Sequence, residues 1–196
     1  MRKLVYFIAS TLDGFVTDPA GSDPSGPGGY WPIGDDYLHH LVAHYPETLP
    51  GPARQALGIT DEGSCFDTAL EGRRSYEIGL AAGVTDAYPH LRHIVFSRTL
   101  TPPDPAVIVE ADPVTTVRRL KEEAGKDLWL VGGGEIAGAL RHEIDRVVVK
   151  LAPLTLGAGL PLLGRTAGFD PQLWELTDHT VLDSGTLFLT YDRSSA

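Results

Sequence analysis

Residues 128–140, LWLVGGGEIAGAL, constrain this chain more than any other stretch. The short apolar run Leu128-Trp129-Leu130-Val131 predicts a buried strand. Gly132, Gly133 and Gly134 follow, and residues 135–141 predict a helix. Glycines at such a junction let the backbone turn sharply and let a ligand approach bare peptide groups. The free N–H groups and the dipole at the start of a helix favour an anion, most naturally the pyrophosphate of a nucleotide cofactor. A tight strand-to-helix turn also requires glycine for steric reasons alone. The rest of the chain decides which reading has support.

At 196 residues a single domain over 1–196 is the expectation. No apolar run is long enough to span a membrane. The start, Met1-Arg2-Lys3-Leu4-Val5-Tyr6-Phe7-Ile8, is broken by Ser10, Thr11 and Asp13 too soon for a signal segment. Cys65 is the only cysteine, which rules out an internal disulfide or a cysteine metal cluster and suits the cytoplasm. The net charge of −10 and the lack of a basic stripe argue against nucleic acid as a partner. In so acidic a chain an anionic ligand needs local cations, which draws attention to Arg73, Arg74 and Arg98.

Residues 3–9 predict a first strand, and Asp13-Gly14 between apolar residues predicts a turn. Residues 19–32 are rich in Gly, Pro, Ser and Asp and predict a long loop, of the length that binding flaps have. A helix is expected to start at Asp35 or Asp36 as its cap and to run to about Tyr45, with Leu38, Leu41 and Val42 on one face. Residues 46–61 are irregular apart from a short helix at 53–57. Alternation follows: strand 66–70, helix 73–81, strands 93–96 and 107–109, helix 114–124, strand 128–131, helix 135–141 and strand 147–151. Residues 173–181 and 186–191 form an antiparallel hairpin turning at Asp183-Ser184-Gly185. The sum is an α/β fold, a central mixed, mostly parallel sheet with flanking helices and a C-terminal antiparallel hairpin.

Ligands of open α/β sheets bind beyond the carboxyl ends of the strands. Three predicted strand ends carry suitable groups: Gly72-Arg73-Arg74-Ser75, Ser97-Arg98 and the turn from Val131 through Gly132, Gly133 and Gly134 to Glu135. Arginine holds phosphate through a planar fork of donors. Arginines at a helix start oppose the dipole, a small local cost that favours a ligand role. The spacing Gly132-x-Gly134-x-x-Ala137 fits the dinucleotide fingerprint in form. No acidic residue stands about 20 positions on to take ribose hydroxyls, so the arginines point to a 2′-phosphate and hence to NADP(H). Of His39, His40 and His44, the last two share a helix face at i, i+4, a possible metal pair, but no Glu completes a zincin motif, and a polar helix face without metal is expected. Trp31 and Tyr37 border the long loop and offer flat rings for stacking on a substrate, with core packing as the alternative.

The order and spacing of Ala9-Ser10-Thr11-Leu12-Asp13-Gly14, Gly72-Arg73-Arg74-Ser75-Tyr76-Glu77, Ser97-Arg98, Val131-Gly132-Gly133-Gly134-Glu135 and Pro153-Leu154-Thr155-Leu156-Gly157-Ala158-Gly159 resemble the dihydrofolate-reductase-like superfamily. Within it the chain is most similar to the reductase domain at the C-terminus of the bifunctional riboflavin-biosynthesis deaminase-reductase. The resemblance covers nearly the whole sequence. It implies NADPH as hydride donor, a homodimer, and a small flat heterocycle as substrate, as for 5-amino-6-(5-phosphoribosylamino)uracil reductase or dihydrofolate reductase. It further implies that the Ala9 backbone faces the nicotinamide amide and that Gly72, Arg73, Arg74, Ser75, Ser97 and Arg98 hold the adenosine phosphate side. Gly132, Gly133, Gly134, Glu135 and Ile136 take the pyrophosphate. Asp13 matches an acidic residue expected to assist at the substrate, against a plain turn role. The zinc signature of a deaminase is absent, and residues 19–61 match no motif of the family. A nucleotide-binding or regulatory protein that has kept the fold and lost turnover is the competing reading.

Overall fold

Strand β1 (Leu4–Ser10) sends Leu4, Tyr6 and Ile8 to one face and Val5 and Phe7 to the other. A strand apolar on both sides must be covered on both, so it belongs inside a sheet. The computed structural model describes residues 1–26 and 28–194; Pro27 in the expected loop and residues 195–196 at the end of the expected domain lie outside the described residues. In it β1 sits between β6 (Asp127–Gly132) and β7 (Arg146–Leu151). The sheet continues on one side through β3 (Phe66–Gly72), β4 (Arg92–Phe96) and β5 (Ile108–Glu110), and on the other through β10 (Leu187–Arg193) and β9 (Trp174–Val181). From β5 to β7 all pairings are parallel; β10 runs antiparallel to both β7 and β9. This is the mixed, mostly parallel sheet with a terminal hairpin that the sequence predicts.

Parallel neighbours need crossovers, and the helices that supply them cover the two faces. Helices α4 (Pro113–Glu122) and α5 (Gly134–Ala139) close one face over Leu4, Tyr6, Leu70, Leu128 and Leu130. Helix α1 (Asp35–His44) closes the other over Val5, Phe7, Trp129, Val148 and Phe188. Helix α3 (Arg73–Ala81) packs Tyr76 on Val95. α4 is capped by Asp112, whose carboxylate accepts the N–H groups of Val114 and Thr115. Lys121, on its apolar side, reaches the Asp145 carboxylate and the Glu143 carbonyl.

Three local expectations change. The cap of α1 is Gly34, not Asp35 or Asp36, because the Asp36 carboxylate accepts the Ser184 N–H and ties the helix to the β9–β10 turn. The short second helix, α2 (Gly51–Ala56), starts two residues earlier than residues 53–57 would place it. A small ribbon of β2 (Phe15–Thr17) and β8 (Leu160–Pro161) is added. Strands this short carry no readable period, and their pairing is fixed by contacts far apart in the chain.

Glu47, in a 3₁₀ turn at Pro46–Thr48, is fully buried and accepts the N–H groups of Cys65 and Phe66 at 2.7 and 2.9 Å. It thus caps the start of β3. We expect Glu47→Ala, which leaves two buried N–H groups unpaired, to cost about 2–3 kcal/mol in urea unfolding. A change within a few tenths would show that water replaces the carboxylate.

Candidate functional site

β1 is paired with β7 to its end, at Ser10↔Leu151. Its pairing with β6 stops at Tyr6↔Leu130, although β1 runs on to Ser10 and β6 to Gly132. The two strands therefore part at their carboxyl ends. The Trp129 indole donates to the Phe7 carbonyl at 3.3 Å in the stretch where the β6 backbone no longer pairs. An open crevice at the carboxyl ends of parallel strands is where α/β sheets hold ligands. Ala9, half-buried on β1, forms one wall and the glycine turn after β6 the other.

The glycine turn is shaped by close approach. Gly132 has φ +128° and its peptide to Gly133 is cis. A side chain on Gly134 would strike the Pro161 carbonyl, whereas a Cβ on Gly133 would meet nothing within 4 Å. The one open position is therefore the middle glycine. α5 has six residues, so bare peptide groups rather than a long helix dipole are what the turn offers. Val131 is half-buried against the core cluster on the α1 side of the sheet, and Ile136 lies against Gly72.

The strand ends next in line are those of β3 and β4, so the three predicted segments lie side by side. Gly72 caps α3 without a side-chain bond, and Ser75 is half-buried in its first turn. Arg73 is held by Glu77 at 2.6 Å and Thr99 at 3.0 Å. Ser97 accepts the N–H groups of Thr99 and Leu100 and shapes its own turn. Arg74 and Arg98 are exposed and have no recorded partner among the described residues.

Two carboxylates fasten loops beside the crevice. Asp13 accepts the Thr11 hydroxyl at 2.6 Å and the Gly157 and Leu156 N–H groups at 2.7 and 3.1 Å. These bonds, Thr11 foremost, hold its pKa below the usual carboxylate range. It is thus an acceptor that joins the β1–β2 turn to residues 154–157, not a ready acid. Glu135 likewise accepts the Arg165 N–H and the Thr166 hydroxyl, which lower its pKa. Its carboxylate anchors residues 164–166 rather than facing the crevice.

Across β1, toward α1, Tyr37 is buried in the core against Phe188 with ring centres 5.7 Å apart. Trp31 is buried as well, beside Tyr30. His40 and His44 lie ring to ring at 4.5 Å, and no group of three or more metal-ligating side chains occurs among the described residues. Sequence reasoning missed Lys150, which shares this face. Its signal was a charge set within the apolar run Val147-Val148-Val149-Lys150-Leu151.

Residues 2–188 match the family described as the RibD C-terminal domain. The chain belongs to this family. Membership supports a reductase-like function on a dihydrofolate-reductase-like fold. Curated relatives include the uncharacterized protein YwjB of Bacillus subtilis (strain 168), 25% identical over 167 residues and covering 82% of each chain. A second protein of that strain, YyaP, also uncharacterized, is 26% identical over 175 residues, covering 82% of this chain and 80% of its own. The fold is shared with a Shewanella sp. PV-4 protein solved by crystallography and named "Putative riboflavin biosynthesis protein", at TM-score 0.67 and 23% identity over 100% of both chains. No helix among the described residues is long and apolar enough to cross a membrane.

In this RibD-type domain the Gly72 turn is braced from below. Glu71 accepts a hydrogen bond from His93 Nε2 at 2.7 Å, and Asp86 accepts one from Nδ1 at 2.8 Å. Both partners are carboxylates, so the ring must donate at both nitrogens. Burial alone would lower the His93 pKa, but the two carboxylates outweigh it and the net shift is upward. A raised folded pKa gives stability that is complete below about pH 6.5 and is lost as pH rises through the folded value. The unfolding free energy of the wild type minus that of His93→Gln should therefore fall as pH rises above about 6.5. A difference that is flat or grows with pH would contradict the charged triad.

Proposed function

We propose that this domain is an NADPH-dependent reductase of a small, flat heterocycle. The observation that carries the reading is the adjacency of the β4, β3 and β6 ends beside the β1–β6 crevice, with the exposed guanidinium groups of Arg74 and Arg98 there in a chain of net charge −10. The residues present fit the cofactor: space stands open at Gly133, hydroxyls at Ser75 and Ser97, and backbone at Ala9. Arg74 and Arg98, with Arg73 behind them, would take the 2′-phosphate side, and the peptides from Gly132 to Ile136 the pyrophosphate. Ala9 would meet the nicotinamide amide through its backbone. Bound NADPH supplies a hydride. The protein's part is to orient the substrate and exclude water, and Asp13 serves this by holding residues 154–157 in place. Trp31 and Tyr37 would back the substrate as buried walls.

The cytoplasm, where NADPH is regenerated, is the proposed setting, and a small-molecule substrate and a second copy of the chain are the proposed partners. Leu173, Leu176 and Val181, 80%, 50% and 65% exposed along or just before the edge strand β9, are what supports a homodimer.

Titrated by fluorescence, NADPH should bind about tenfold more tightly than NADH, through charge-assisted contacts to the extra phosphate. Arg74→Gln with Arg98→Gln should erase that preference. Equal affinities in the wild type would sink the assignment. Gly133→Val should fold normally, since φ there is −80°, yet lose NADPH binding because the side chain fills the open crevice. Normal binding by the folded variant would reduce the glycine turn to a structural feature.

A further inference from the structure

The chain has four lysines, Lys3, Lys121, Lys126 and Lys150. Lys3 and Lys121 pair with Asp192 and Asp145, and Lys126 donates to the Gly63 carbonyl. Lys150 has no such oxygen among the described residues; its ammonium lies 4.3 Å from the centre of the Phe7 ring. In register it stands between Ala9 of β1 and Phe188 of β10, on the face that α1 covers. The Tyr45 and Phe188 rings, 4.6 and 6.4 Å from Phe7, extend the aromatic wall around it. A cation over an aromatic face recovers only part of its lost hydration. Such a group is a costly feature in a strand that could hold valine, and it lies beside the residue that lines the crevice.

We propose that Lys150 is the acid of the substrate side, its ammonium meeting the electronegative atom X of a reducible C=X group, with X oxygen or nitrogen, in a flat heterocycle laid between Ala9 and α1. This rests on the reductase reading above. As the carbon takes the hydride of NADPH, X takes a proton from Nζ. C=X becomes HC–XH, NADPH is left as NADP⁺ with a cationic nicotinamide ring, and the neutral amine recovers one proton from solvent, so the net reaction consumes one H⁺. Burial draws the Lys150 pKa down to about 7, so both its forms are populated at neutral pH, as proton transfer in each direction requires. The other titratable groups near this face include Tyr37, His40 and His44 of α1, Tyr45, Cys65, Tyr88, Arg146 tied to Asp192, and Asp178 of β9. Burial pushes the three phenols and the thiol up and His40 down. Asp13 is committed to backbone N–H groups, so Lys150 also answers the reading in which the fold has no proton donor and no turnover.

Two measurements on the full chain test this. Reductive methylation with ¹³C-formaldehyde labels each lysine, and Lys150→Arg assigns the resonance; it should titrate near pH 7. The probe for binding is 5-nitrouracil, a flat imide that is anionic at neutral pH, followed by calorimetry with and without NADP⁺. Wild type should bind it at least about tenfold more tightly than Lys150→Met, and binding should raise the Lys150 pKa. Equal binding by the folded variant, no binding by wild type, or titration of Lys150 near the ordinary value of about 10.4 overturns the proposal. Failure of NADPH to bind overturns the reductase reading instead, whatever Lys150 does.

Discussion

The unequal pairing of β1 is what the rest of the structure depends on. Paired with β7 from Val5 to its end at Ser10 and with β6 only as far as Tyr6, it holds the sheet together at one end and opens it at the other. Both faces of β1 are apolar, so it must be central, and its neighbours must be reached by crossovers that deliver helices to each face. Those crossovers bring the ends of β3, β4 and β6 to the same rim. The crevice is thus a product of sheet geometry, and the residues around it are there because their strands end there.

Charge is arranged around that rim in a way the overall balance hides. The carboxylates of Asp13 and Glu135 are used up by backbone N–H groups and hydroxyls of the two loops they fasten. Those N–H and O–H dipoles offset part of their field toward the crevice, while each group stays ionised. Glu71 and Asp86 are neutralised in part by the imidazolium of His93 beneath the Gly72 turn. Arg74 and Arg98 carry no such local partner among the described residues. An acidic chain can in this way offer a positive rim without a basic stripe in its sequence.

The order of elements was legible because long strands and helices carry their own period. The run 147–151 reads as a buried strand, and it is the inner strand β7. The helix α3 reads from Arg73 to Ala81 and is found there. Short or non-local features did not read. The β2–β8 ribbon joins a three-residue strand to a two-residue one across the chain. The Asp36 carboxylate, a natural helix cap by residue type, is diverted to Ser184 by a turn that folds onto it.

The sequence by itself determined the fold class, the family likeness and which segments are candidates for holding phosphate, since it shows glycine, arginine and hydroxyl residues together at strand ends. Only the tertiary structure decided which of them are free to act. It showed Arg73 held by Glu77 while Arg74 and Arg98 have no partner among the described residues, and Gly133 open while Gly134 is pressed against Pro161. It also showed Lys150 against Phe7. The physical reason is that a side chain's chemistry is written in its type, but its availability depends on partners that arrive from distant parts of the chain.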